Sequence, residues 1–141
     1  MKKLYSPNFF LMLVLTAISI AHCAKKKEEI QKNIVIEAMT SGRWIVQGFT
    51  ENSVDVSSEF TGYEFQFYEN GTVQGIKSSA TTDGSWLGDP SAMTIFSSFP
   101  SGNDTLKRLN DTWKIINNTF TLVEARPTNT NRTAYLKLVK K

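Results

Sequence analysis

Apolar and polar side chains alternate along most of the chain from Gly42 onward. In the run YEFQFY (63–68), Tyr63, Phe65 and Phe67 share one side, and Glu64 and Gln66 take the other. A period of two is the mark of a half-buried strand. The same reading predicts strands at RWIVQGF (43–49), TVQGIK (72–77), TTDGSWL (81–87), MTIFSSF (93–99), TWKII (112–116), TFTLVEA (119–125) and AYLKLVK (134–140). Turn residues separate them. Asn70-Gly71 predicts a two-residue type I′ hairpin, whose central residues both need positive φ. Gly88-Asp89-Pro90, Pro100-Ser101-Gly102-Asn103, the pair Asn117-Asn118 and the polar stretch RPTNTNR (126–132) punctuate the rest.

Before Gly42 the period changes. In EEIQKNIVIEAM (28–39), Ile30, Ile34 and Ala38 recur four apart, which predicts a short helix ended by Thr40-Ser41-Gly42. The β-branched cluster Ile34-Val35-Ile36 leaves an extended reading open. A second helical stretch fits only around Leu106 to Leu109. Eight short strands with short connections imply antiparallel neighbours. The expected fold is all-β: an eight-stranded antiparallel up-and-down barrel with a short N-terminal helix, since closure removes exposed sheet edges. A two-sheet sandwich is the alternative, because pattern alone does not show closure.

The alternation places Trp44, Val46, Phe65, Phe67, Val73, Trp86, Ile95, Trp113, Ile115, Phe120, Leu122, Leu136 and Leu138 inside. An eight-stranded barrel has room for its side chains or for one small ligand. If it holds a small hydrophobic molecule, the contact residues are Trp44, Val46, Phe65, Phe67, Trp86, Trp113, Phe120, Leu122 and Leu136. Otherwise these side chains simply fill the interior. Phe49, Phe60, Tyr68, Phe96 and Phe99 are candidates for an open rim or a partner surface.

The first 22 residues read as a leader. Lys2 and Lys3 form a basic start, and Phe9 to Ile20 is a nearly continuous apolar run of 12 residues. That is short of the roughly 20 needed to cross a bilayer, and Lys25-Lys26-Lys27-Glu28-Glu29 cannot extend it. Ile20-Ala21-His22-Cys23 resembles a bacterial lipobox, except that His22 stands where a small residue is usual. The expected division is a lipoprotein signal peptide over 1–22, a lipidated tether over 23–29 and a barrel domain over 30–141. Acyl chains of the palmitate type on Cys23 would hold the protein on a membrane. Ordinary cleavage nearby, with Cys23 a free or discarded thiol, is the alternative.

Composition narrows the chemistry. The chain has 16 basic and 13 acidic side chains, but from Thr40 to Lys141 the counts are 10 and 10. The basic excess sits in the expected leader and tether, so the domain carries no nucleic-acid footprint. One cysteine excludes an internal disulfide. After cleavage no histidine remains, which excludes Ser-His-Asp and Cys-His catalysis and leaves a zinc site without its usual ligands. No cofactor is expected. A carboxylate-based hydrolase stays open through Glu64, Glu69, Asp83, Asp89, Asp104, Asp111 and Glu124. Five Asn-x-Thr sequons (Asn70, Asn103, Asn110, Asn117 and Asn131) read as turn asparagines.

Gly42-Arg43-Trp44 follows the predicted helix and opens the first strand. There it resembles the G-x-W motif of lipocalins. Phe60-Thr61-Gly62-Tyr63-Glu64-Phe65, Asn70-Gly71-Thr72-Val73, Gly84-Ser85-Trp86 and Leu109-Asn110-Asp111-Thr112-Trp113-Lys114 follow in an order similar to small lipocalin-like lipoproteins of Bacteroidota-type bacteria. The resemblance covers about 40–141. It implies a lipid-anchored, non-enzymatic protein of the cell envelope, on the periplasmic or outer face of the outer membrane. Its cavity would take a small apolar ligand. The second lipocalin motif, Thr-Asp followed by Tyr, is absent, and Arg126 and Arg132 are the candidates for the arginine that packs over the tryptophan. Asp104-Thr105-Leu106 is similar to a short O-glycosylation signal of such bacteria, which makes Thr105 a candidate acceptor. The rival function is a protein-interaction module with a filled core, an inhibitor or accessory subunit, working through loops near 50–59 or 126–132.

Overall fold

The computed structural model describes residues 34–141 and, singly, Lys26. The leader, Cys23, the rest of the tether and the first part of the predicted 28–39 helix lie outside the described residues.

Residues 34–40 form a helix, α1. Gly42, at φ 105, lets the chain turn out of it into β1 (Arg43–Glu51). A short hairpin adds β2 (Val54–Asp55), and a 3₁₀ turn spans Ser57–Phe60. There follow β3 (Tyr63–Phe67), β4 (Thr72–Lys77), β5 (Ala80–Asp89) and β6 (Thr94–Ser98), then the one-turn helix α2 (Asp104–Lys107), β7 (Asp111–Asn118), β8 (Leu122–Pro127) and β9 (Ala134–Lys140). Leaving aside the two-residue β2, each strand pairs antiparallel with the next, and β1 pairs with β9 from Trp44↔Lys140 to Glu51↔Ala134. The result is a closed eight-stranded up-and-down barrel, as the alternation predicts, and not a sandwich. β1 and β3 share only two residue pairs, Arg43↔Gln66 and Trp44↔Phe65. Above them the strands part, and the 3₁₀ turn lodges buried Phe60 against the opening, its ring 5.2 Å from that of Phe49.

Two irregularities overturn parts of the expected interior. In β1 the register shifts between Val46 and Gly48. This bulge inserts one residue, so the inward face passes from Val46 to Phe49, which is fully buried. In β7 the register shifts between Ile115 and Asn117, and the strand continues through Asn118. Asn117-Asn118 is therefore strand, and the turn falls on 119–121, closed by Thr119 N–H donating to the Leu122 carbonyl at 2.8 Å. Phe120 sits in that turn and is 52% exposed. Leu122 pairs with Val139 on the outer face, while Val123 and Ala125 point inward. Phe120 and Leu122 are thus not interior residues.

The type I′ hairpin is displaced too. At Asn70-Gly71 only Gly71 has positive φ (84), and its N–H donates to Tyr68 O at 3.1 Å, so a longer turn joins β3 to β4. Positive φ at both central positions occurs instead at Asn52 (51) and Ser53 (65), between β1 and β2.

Candidate functional site

The barrel has two ends. Its lower end carries α1 and the turns at 68–71, 90–93 and 119–121. Its upper end carries the β1–β3 connection, the Ser78-Ser79 turn, the α2 segment and the loop 128–133. Between them lies the interior, the expected ligand site. Its cavity measures about 30 Å³ and is bounded by Phe65, Phe67, Trp113 and Leu136 among others. Trp44, Val46 and Trp86 are buried but lie off this void. Phe120 and Leu122 lie outside the barrel. Of the nine expected contact residues, four surround one small space.

Aromatic packing explains why the space is small. Phe49, Phe65 and Phe67 meet Trp113, Phe99 and Trp86 edge-on, with ring centroids 5.2–6.1 Å apart. Each indole N–H is tied to a backbone carbonyl: Trp44 to Met39 (2.9 Å), Trp86 to Tyr68 (2.8 Å) and Trp113 to Leu109 (2.9 Å). The tryptophans therefore clamp α1, the β3–β4 turn and the α2 segment onto the barrel. Ser97, the one buried polar side chain beside the cavity, donates to Leu109 O at 2.5 Å.

The upper end holds the densest polar cluster. Arg132, in the 128–133 loop, donates to Glu51 (2.9 Å), to Asp111 (3.1 Å) and to the Arg108 carbonyl (2.6 Å). Its guanidinium lies 5.2 Å from the Trp113 ring centre. Arg108 holds Glu59 through two nitrogens, at 3.0 and 3.2 Å, and also pairs with Glu51. Hydrogen bonding by Glu59 raises the Arg108 pKa further above its ordinary value, against the pull of desolvation. The cluster ties β1, the 3₁₀ turn, α2 and two loops together.

Neither candidate arginine packs over Trp44. Arg132 covers Trp113, and it is Lys140 of the last strand whose ammonium lies 5.2 Å from the Trp44 ring centre and 4.2 Å from that of Phe120. The cation over Trp44 is thus a lysine of the closing strand in place of the expected arginine.

No family model matches the chain, and no curated protein matches it. Among solved structures it is similar to the crystal structure, at 1.00 Å resolution, of a DUF4847 family protein from Bacteroides vulgatus ATCC 8482. The identity is 16% and the TM-score 0.56, over 76% of this chain and 97% of that one. The likeness is one of fold.

The seven candidate carboxylates are dispersed. Asp111 belongs to the Arg132 cluster. Glu64, on β3, pairs with Arg43 (2.7 Å) and Lys141. Glu124 accepts from Tyr135 (2.5 Å) and Asn117 (2.7 Å), Asp83 accepts from Gln74 (2.9 Å), and Asp89 caps its own turn through Ser91 and Ala92. Glu69 is in the β3–β4 turn and Asp104 in the first turn of α2. Hydrogen bonds lower the pKa of Glu64 (from Arg43 first), Asp89 (from Ser91) and Glu124 (from Tyr135). Among the described residues no group of three His, Cys, Asp or Glu side chains could hold a metal ion, and no helix is long and apolar enough to cross a membrane.

Thr105 is half-buried within α2, whose cap is Asn103: its side chain accepts from Leu106 N–H at 3.0 Å and donates to the Tyr63 hydroxyl at 2.8 Å. Asn70, Asn110 and Asn131 lie in turns or loops, and Asn117 in β7.

Proposed function

We propose that this protein is a lipid-anchored, non-enzymatic domain of the cell envelope that works through its outer surface as an interaction module, an inhibitor or an accessory subunit. The carrying observation is the filled interior. A cavity of about 30 Å³ holds a few waters at most, whereas ligand pockets span roughly 300–1,000 Å³. The carboxylates with displaced pKa values are shifted down, opposite to what a general acid needs. The anchor rests on Cys23 at the end of the leader's apolar run.

A second reading, a container for a small apolar molecule, draws support from the almost wholly apolar lining of the void. Without displacing an aromatic ring it accommodates only a few atoms. Native mass spectrometry of the protein purified gently from its own host tests both readings. The expected species is a polypeptide beginning at Cys23 with covalent acyl groups and no non-covalent adduct. An adduct of small-molecule mass that leaves on denaturation overturns the interaction-module reading. An unmodified thiol at Cys23 overturns the anchor, as does an unchanged membrane fraction for Cys23→Ala.

A further inference from the structure

Exposed apolar side chains are unevenly distributed between the barrel's ends. Each lower turn carries one: Tyr68 where β3 leaves for β4, Met93 between β5 and β6, and Phe120 between β7 and β8. Ile34 on α1 and Ile116 near the foot of β7 add two more. On the upper connections, Val54 is the counterpart among the exposed large apolar residues. Upper turns are otherwise built from serine, threonine, asparagine and the arginine cluster. Singly scattered surface apolar residues are ordinary; what sets these apart is that they share the end at which the chain enters the barrel, whereas Leu87 and Phe96 are exposed on its wall.

Cations stand among them. Lys140 lies 4.2 Å over the Phe120 ring, with its ammonium also bonded to the Ser41 hydroxyl at 3.1 Å. Arg43 and Lys141 share the single carboxylate of Glu64 beside it. Lys114 donates to the Ala92 carbonyl next to Met93, at 2.5 Å. Asp89 lies close enough to Lys114 to be influenced by its charge, so the net positive charge of this end is that of Lys140, Lys141 and Arg43 over Glu64, on the Phe120 side. A long lysine whose stem covers an aromatic ring while its ammonium stays at the rim is suited to a water–lipid boundary.

We infer that the lower end rests on an anionic lipid surface, with Phe120 and Met93 inserted at the headgroup level and Lys140 and Lys141 facing the lipid phosphates. Two features select a bilayer over a protein. The apolar residues are single tips spaced around a ring, which a deformable planar phase can meet together and a protein groove cannot. The chain also enters the barrel at this end, through α1. Ten residues separate Cys23 from residue 34 and reach at most about 35 Å, so an anchored Cys23 keeps this end nearest the membrane. The inference rests on the lipid-anchor reading for its cellular setting, and its test supplies the anchor chemically, so the two fail separately.

The chain from Cys23 to Lys141 is coupled through its thiol to a maleimide phospholipid in vesicles of phosphatidylcholine with a minor share of phosphatidylglycerol. Phe120→Trp and Val54→Trp each place an indole at an already exposed position, and the parent's emission is subtracted. With brominated acyl chains, the Phe120→Trp indole should be blue-shifted and lose about half its emission, while the Val54→Trp indole is unchanged. No quenching at position 120, or equal quenching at both ends, overturns the inference. Mass analysis of Cys23 from the host judges the anchor independently.

Discussion

Leu136 offers a direct test of the filled barrel. It lies on the inward face of β9, opposite Phe49 and Ala125, and borders the 30 Å³ void. Leu136→Ala removes three carbons. At about 0.8 kcal/mol each, the lost transfer energy is about 2.4 kcal/mol. The space vacated adds about 24 cal/mol per Å³, and on the order of 50–80 Å³ left after partial collapse contributes about 1–2 kcal/mol more. The expected loss is therefore about 3.5–4.5 kcal/mol, within the range of about 2.7–5 known for buried Leu→Ala changes. Urea unfolding followed by tryptophan fluorescence should show a lower midpoint with an unchanged slope. The enlarged void should then take up benzene, as apolar engineered cavities do. Benzene should raise the midpoint of the variant and leave the parent's alone. A loss under about 1.5 kcal/mol would mean that the site collapses or was never tightly packed. A parent stabilised by benzene as much as the variant would refute the filled interior itself.

Gly84→Ala should cost about 2–3 kcal/mol, because its Cβ would fall 2.5 Å from the Ser98 carbonyl oxygen and 2.7 Å from the Phe99 ring; Gly88→Ala, whose nearest neighbours are at 3.4 and 3.5 Å, should stay within about 0.5 kcal/mol by the same urea assay. Ser53→Gly should stabilise by about 0.5–1 kcal/mol, since Ser53 holds φ 65 in the type I′ turn that favours glycine there. Glu64, Asp89 and Glu124 have lowered folded pKa values, so their contribution is present above the ordinary carboxylate values of 4.5 and 3.8 and is lost as pH falls below them; melting temperatures should hold steady down to about pH 5 and then decline. Burial, then the Glu124 hydrogen bond, pushes the Tyr135 pKa from 10.0 up to about 12. The neutral phenol's contribution is full below pH 10 and is lost as pH rises towards 12, so Tyr135→Phe should flatten the alkaline decline, and an unaltered decline would refute the assignment.

Strand identity was legible because alternation is local. The predicted limits of β4 (72–77) and β9 (134–140) coincide with the observed ones. The G-x-W segment also behaves locally as expected, with Gly42 turning the chain and Trp44 sealing the lower end against Met39. Phase within strands was less legible. The bulges in β1 and β7 turn Phe49 inward and leave Phe120 outside; the first is set against β9, far away in sequence, and the second against the neighbouring β8, where alternation alone does not reveal an inserted residue. The same distance hides the upper cluster: Glu51, Arg108 and Arg132 are ordinary polar residues until closure brings them together.

Pattern and turn chemistry along the chain thus determined an antiparallel meander with an apolar face, because each strand's alternation is set by its own side chains. The single histidine and the single cysteine likewise follow from residue identity and position alone. Whether the sheet closes, which rings meet across it and how little space they leave were decided only in the folded barrel. Those outcomes depend on register between β1 and β9, 96 residues apart at Trp44↔Lys140 and beyond any local window, and on the volume left when aromatic side chains from opposite walls interlock.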